Sequence, residues 1–141
     1  MEKEKSRFLK RDNGTVYDSL SSLTWSANDS QLDLEKEVSW TEAEQYAKDM
    51  NQKKFAGHND WRMPTIHEAL SLFDKDKLNK DSAGAEIHID SVFNPGGANC
   101  TWTTETRGKE AQIVFYVNGF PYWYDKNDKT ISHAVRLVRR D

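Results

Sequence analysis

Apolar residues recur at three- and four-residue steps twice in the middle of this chain and alternate with polar ones towards both ends. That pattern predicts two amphipathic helices framed by short strands. Trp40, Ala43, Ala47 and Met50, with Tyr46 beside them, form the first helical stripe, while Glu42, Glu44, Lys48 and Asp49 fall elsewhere on the wheel. Two overlapping capping boxes, Ser39-x-x-Glu42 and Thr41-x-x-Glu44, mark its start, and only one can be used. Thr65-x-x-Glu68 opens the second helix, whose stripe is Ile66, Ala69, Leu70 and Phe73. Between them lies Gly57 to Thr65. Its glycine permits positive φ and Pro64 pushes Met63 out of helical space, so the segment should run extended, with Trp61 filling core volume between the two helices. Asp60 and Arg62 flank that indole and are suited to tying down its backbone by charge-assisted hydrogen bonds.

The flanks read as strands. Asn13-Gly14, with Phe8/Leu9 before it and Val16/Tyr17 after it, is a strong hairpin signal, and Leu23-Thr24-Trp25 is a third short strand. Ser26 to Lys36 is polar enough for a surface loop. Residues 74–90 are charged and without sustained period, which predicts a loop with at most a turn of helix. An EF-hand reading of that stretch fails, because Leu78, Asn79 and Ala85 stand where a calcium-ligating residue, the glycine and the bidentate glutamate belong. Cys100 to Thr104 has strand composition. Ala111 to Val117, Asn118-Gly119 and Phe120 to Tyr124 predict a two-residue hairpin with Val117 opposite Phe120, Phe115 opposite Tyr122 and Ile113 opposite Tyr124. Asp125 to Asp128 makes a turn, and Ala134 to Val138 a final buried strand. The fold class is therefore α+β, with residues 1–6 a disordered charged N-terminus and 7–141 a single domain.

Charge and composition exclude more than they assign. With 20 basic and 23 acidic residues the net charge is −3, which argues against a general nucleic-acid binder. The one cysteine, Cys100, leaves no internal disulfide, zinc ribbon or redox pair. His58, His67, His88 and His133 show no ligand spacing, so no metal and no cofactor is expected. The longest apolar run, Ile113 to Val117, is far short of the ~20 residues that cross a bilayer, and the first residues lack the apolar core of a signal peptide.

Asp12-Asn13-Gly14-Thr15-Val16, Trp40-Thr41-Glu42-Ala43, Gly57-His58-Asn59-Asp60-Trp61-Arg62-Met63-Pro64-Thr65, Trp102-Thr103-Thr104 and Val135-Arg136-Leu137-Val138-Arg139 together resemble the C-terminal domain family of the Legionella collagen-like protein. The resemblance implies a C-type lectin-like superfold, in which N- and C-terminal strands pair, two helices flank a small twisted antiparallel sheet, and a second small sheet with its loops presents ligands. It also implies an extracytoplasmic adhesion or sensing role. Relatives carry a cysteine where this chain has Ala47, and the Glu-Pro-Asn and Trp-Asn-Asp calcium signatures of sugar-binding C-type lectins are absent. Fold alone does not transfer function.

Four tryptophans, Trp25, Trp40, Trp61 and Trp102, together with Arg62, read as structural core. Recognition is expected later in the chain. Strand alternation exposes either Trp123 or the Tyr122/Tyr124 pair beside Asp125 and Asn127, and flat rings next to polar groups suit sugar faces as well as protein surfaces. Asn94 and Asn99 supply two amides in a flexible loop near the same side. If the terminal strands pair, Arg7, Lys10 and Arg11 approach Arg136, Arg139 and Arg140 and build a basic patch. The expected function is a non-enzymatic module that binds a glycan or a protein, its oligomeric state open. Its rivals are an enzyme of the formylglycine-generating branch of the same superfold, for which Cys100 is the one nucleophile available, and a purely structural tip domain of a longer assembly.

Overall fold

A computed structural model describes residues 6–129 and 132–141, so the expectation of disorder for 1–6 falls, but for Ser6, outside the described residues. Three antiparallel sheets and three α-helices are found among them. The first sheet comprises β1 (Phe8–Lys10), β2 (Thr15–Asp18), β3 (Leu23–Ser26) and β9 (Val138–Arg140) in that spatial order. The second is a miniature hairpin of β4 (Asn79–Lys80) and β5 (Glu86–Ile87), within the stretch expected to be loop. The third runs β6 (Cys100–Arg107), β7 (Glu110–Phe115), β8 (Pro121–Asp125).

The N-terminal hairpin forms with a three-residue loop closed by the Arg11 N–H to Thr15 O bond, and Gly14 takes its last position at φ +84°. Helix α2 (Trp40–Gln52) begins at Ser39, which settles the choice of capping box, and α3 (Ile66–Ser71) begins at Thr65; both boxes are reciprocal.

Ser26 to Lys36 is not a surface loop. Asp29 caps a short helix, α1 (Ser30–Leu34), and Ala27, Asp29 and Ser30 are buried. The sequence conceals this because the buried groups are polar and satisfied internally: Ser30 exchanges two hydrogen bonds with the Val135 backbone, and the Asp29 carboxylate accepts from the N–H groups of Leu32 and Ala98. The Asp29 carboxylate rests directly against Gly97, where a Cβ would come within 2.8 Å of both oxygens.

The terminal strands share a sheet but do not pair. β9 bonds to β3 on one side and to the Arg62 backbone on the other, while β1 lies at the far edge beyond β2. β9 also begins later than expected. Residues 134–137 are buried, yet their backbone groups bond to Ser26, Ser30, Thr101 and Trp102 rather than to one continuous ladder.

Two cores lie on opposite faces of the third sheet, because β7 alternates. Ala111 and Ile113 join Ala43, Tyr46, Met50, Trp61 and Trp102 on the α2 side, whereas Val114 and Tyr116 join Val16, Trp25, Ala69, Leu72 and Phe93 on the side of α3 and the first sheet. Trp61 is therefore buried, but in α2's core rather than between the two helices; Ala69 of α3 belongs to the other. Its indole donates to Phe55 O and leans on the Phe55 ring at 5.2 Å. Asp60 does not tie Trp61 down; it pairs with Arg139, and Arg62 pairs bidentately with Glu68 besides donating to Met63 O. Arg62 is half-exposed and so is not core, and Trp40 is only partly buried, its indole nitrogen donating to Thr103 O. Trp25 and Trp102 are fully buried.

Candidate functional site

The β7–β8 hairpin carries the residues that sequence reasoning singled out, but its register is two residues from the expected one. Ile113 faces Tyr122, Gln112 faces Trp123 and Ala111 faces Tyr124. Tyr116 is the reason. Its N–H donates to Asn99 O, its carbonyl accepts from His88, and its buried hydroxyl donates to Ala69 O. Pinned in the second core, Tyr116 cannot pair with β8, so the connection spans residues 116–119 and closes at Phe115 and Phe120. A shift of two preserves which face each side chain occupies. Gly119, at φ +77°, lets the turn lie directly on the Phe73 ring, which a Cβ there would meet at 2.7 Å.

The longer connection projects Val117 and Phe120 into solvent, with 51% and 60% of their surfaces exposed, next to Tyr122 at 45%. Asn118 bridges the tip: its oxygen accepts from the Phe120 N–H and its amide donates to the Tyr122 hydroxyl. Val117 and Phe120 escaped the sequence reading as surface residues because a two-residue turn would have faced them inside the sheet. From Tyr122 a series of ring contacts runs inward through Phe115, Tyr124 and His133 to Trp102, all edge-to-face except the tilted Phe115–Tyr124 pair, with centroids 4.9 to 6.1 Å apart.

Trp123 lies on the opposite face and is half-buried. The Arg107 guanidinium stands 4.2 Å over its ring and is also bound to Glu110, so one indole face is already covered from within. Tyr124 is likewise partly covered, and burial pushes its hydroxyl pKa up. Asp125 ends β8 and Asn127 lies in the turn that follows; both are exposed, and the Asp125 carboxylate accepts from the Asn127 N–H. Asn94 belongs to a hydrogen-bonded chain that runs from Lys10 through Asn94, Asn28 and Asp33 to the Tyr46 hydroxyl. Asn99 adjoins the base of the tip through Tyr116, and its side-chain oxygen is buried without a partner.

The terminal strands do not pair and most cations of the expected basic patch are engaged internally, although Arg11 and Arg139 do converge on Asp141. Arg7 is bound to Asp18, Arg11 to Asp141 and Arg139 to Asp60, while buried Arg136 donates to Ser26 O and Ala27 O beneath the Phe93 ring. Arg140 is exposed on β9. The partners register this pairing. Hydrogen bonding from Arg11 and Thr24 holds the Asp141 pKa down at about 2, and the hydrogen bond from Arg139 lowers that of Asp60.

Cys100 is buried on β6, its sulfur 3.4 Å from Ser132 O, and desolvation pushes the thiol up to about 12. It is a thiol, not a thiolate, at neutral pH. No group of three or more His, Cys, Asp or Glu side chains placed to hold a metal ion occurs among the described residues, and no described helix is long and apolar enough to cross a membrane.

These features define an antiparallel α+β domain with two cores and an exposed aromatic hairpin tip. The chain belongs to the Lcl C-terminal domain family, whose model matches residues 14–139 and so spans both cores, the Trp61 segment and the hairpin. Comparison with curated proteins and with solved structures gave no match.

Proposed function

We propose that this domain is a non-enzymatic recognition module of C-type lectin-like plan that contacts a protein surface through the tip of the β7–β8 hairpin. The observation that carries the reading is the cluster of Val117, Phe120 and Tyr122, three large side chains exposed within six residues of one another on a braced turn. Leu9, Leu20, Leu34 and Leu78 are exposed elsewhere, but among the described residues only at the tip do exposed large hydrophobics include aromatic rings, which dominate the energetics of partner contacts. Val117 and Phe120 present hydrocarbon alone, which fits an apolar patch on a protein better than the hydroxyls of a sugar. The lectin-like plan has support in the shared sheet of terminal strands, the helices α2 and α3, and the separate small sheets that carry the exposed turn. An adhesion or sensing role follows by family analogy.

The cysteine enzyme is the weaker reading, because a nucleophile needs access and a depressed pKa and Cys100 has neither. Array screening against envelope proteins and glycans, run beside a Phe120→Ser/Tyr122→Ala variant, tests the proposal. Protein targets that lose at least tenfold in affinity for the variant, at an unchanged urea midpoint, are the expected result. An absence of targets, or targets bound equally by the variant, would remove the tip from consideration.

A further inference from the structure

A groove of about 280 Å³ lies between α2 and the Trp61 segment, on the first core and away from the hairpin tip. Its floor is the Trp40 ring, Ala47, the edge of Trp61 and Met63, and its rim includes Glu44, Lys48 and Thr104. Both indoles are fixed and have spent their only donors inside the protein: Trp40 Nε1 on Thr103 O at 2.9 Å and Trp61 Nε1 on Phe55 O at 2.9 Å. Trp61 is almost wholly buried, so the ring surface that the groove offers is that of Trp40, without a polar demand of its own. Lys126 stands over Trp40 at 4.9 Å but does not line the groove, so the cation does not fill it.

The rim is unusual for a different reason. Glu44 and Lys48 are exposed and stand at i and i+4 on α2, the order in which such pairs attract, yet neither makes an ion pair or a hydrogen bond among the described residues. One free carboxylate and one free ammonium thus border an apolar, aromatic floor. Their charges cancel, and Arg62, which also lines the groove, is neutralised by its bidentate pair with Glu68, so the rim draws neither a polyanion nor a polycation; it complements a neutral molecule that both donates and accepts hydrogen bonds.

We propose that this groove binds the face of one neutral pyranose ring. The C–H face of the sugar stacks on Trp40. Vicinal hydroxyls donate to the Glu44 carboxylate and accept from the Lys48 ammonium, with the Thr104 hydroxyl able to do either. The volume is at the lower end for small-molecule pockets and suits a single ring, not a helix or a strand. The site is independent of the hairpin tip, and the two readings stand or fall separately.

The test is titration of the full chain, labelled with nitrogen-15, with the methyl glycosides of glucose, galactose, mannose and N-acetylglucosamine, followed by NMR. For at least one glycoside the expected result is a set of shifts confined to the Trp40 and Trp61 indole N–H signals and to the amides of residues 44–48, with a Kd on the order of 1 mM, ordinary for one small ring. Glu44→Gln and Lys48→Gln, on the exposed face of α2, should each weaken binding at least threefold, and Trp40→Ala at least tenfold. The two rim variants keep the test intact even where Trp40→Ala fails to fold. Shifts centred on residues 117–122 instead, shifts untouched by either rim variant, or no shift with any of the four glycosides would overturn the proposal; none of these outcomes bears on protein binding at the tip.

Discussion

Asn51 holds both backbone polar groups of Trp61. Its side-chain oxygen accepts from the Trp61 N–H at 2.7 Å and its amide donates to the Trp61 carbonyl at 2.9 Å, an arrangement that pairs the last turn of α2 with the extended segment as a neighbouring strand would. Asn51→Ala leaves two partly buried backbone groups without partners, each costing about 1–3 kcal/mol. Urea unfolding should show a loss of roughly 2–4 kcal/mol. An Asn51→Asp variant, which keeps the acceptor and loses the donor, should fall between the two.

Gly97 has no need of positive φ, yet it is intolerant of a side chain because the Asp29 carboxylate occupies the space. Gly97→Ala displaces that carboxylate, and with it the cap of α1 and the bond to Ala98. Loss of a cap costs about 1 kcal/mol and an unpaired buried carboxylate more, so a fall of at least about 2 kcal/mol in unfolding free energy is expected. An unchanged value would mean that Asp29 finds equivalent partners elsewhere.

How much of this was legible beforehand depended on whether each burial was apolar. The start of α3, that of α2 to within two residues, the existence of the two hairpins and the burial of Trp25, Trp61 and Trp102 follow from periodicity, capping boxes and Asn-Gly pairs, which are local signals. Helix α1 was hidden because Asp29 and Ser30 are buried polar residues whose partners, Ala98 and Val135, are remote in sequence. Likewise the hairpin register depends on Tyr116 reaching Asn99 and Ala69, which no local pattern encodes. The basic patch was expected from a pairing of terminal strands; β9 instead took the place beside β3.

Acid should destabilise the domain through several carboxylates at once. Asp141, Asp60, Glu68 and Glu42 have folded pKa values below their ordinary ones, held there by Arg11, Arg139, Arg62 and the Ser39 N–H respectively; for Asp18, burial opposes ionisation but hydrogen bonds from Arg7 and Ser21 outweigh it. A depressed folded pKa means that the unfolded chain binds more protons. The stabilisation is therefore complete above the unfolded values near 4 and is lost as pH falls through the folded ones, down to about 2 for Asp141. Calorimetry should give a Tm that is level near pH 6 and declines steadily below about pH 4.5. Arg11→Ala should make that decline shallower, since Asp141 then titrates nearer its ordinary value; a Tm that rises on acidification would contradict the sign.

Thiol labelling separates the recognition reading from the cysteine enzyme. Cys100 is buried and its pKa is pushed up to about 12, so an aromatic disulfide reagent at neutral pH should react only as fast as the protein opens. Immediate labelling of the native chain would return Cys100 to the list of reactive groups.

The Gly57–Thr65 segment is a brace that Trp61 holds to α2, and the stability of a Trp61→Ala variant tests this most directly. Trp61 is 3% exposed and makes its hydrogen bonds within the protein, so its removal opens a cavity in the α2 core and should lower the unfolding free energy in urea by about 3–5 kcal/mol. A variant with wild-type stability would show that the indole is not what holds that segment to α2.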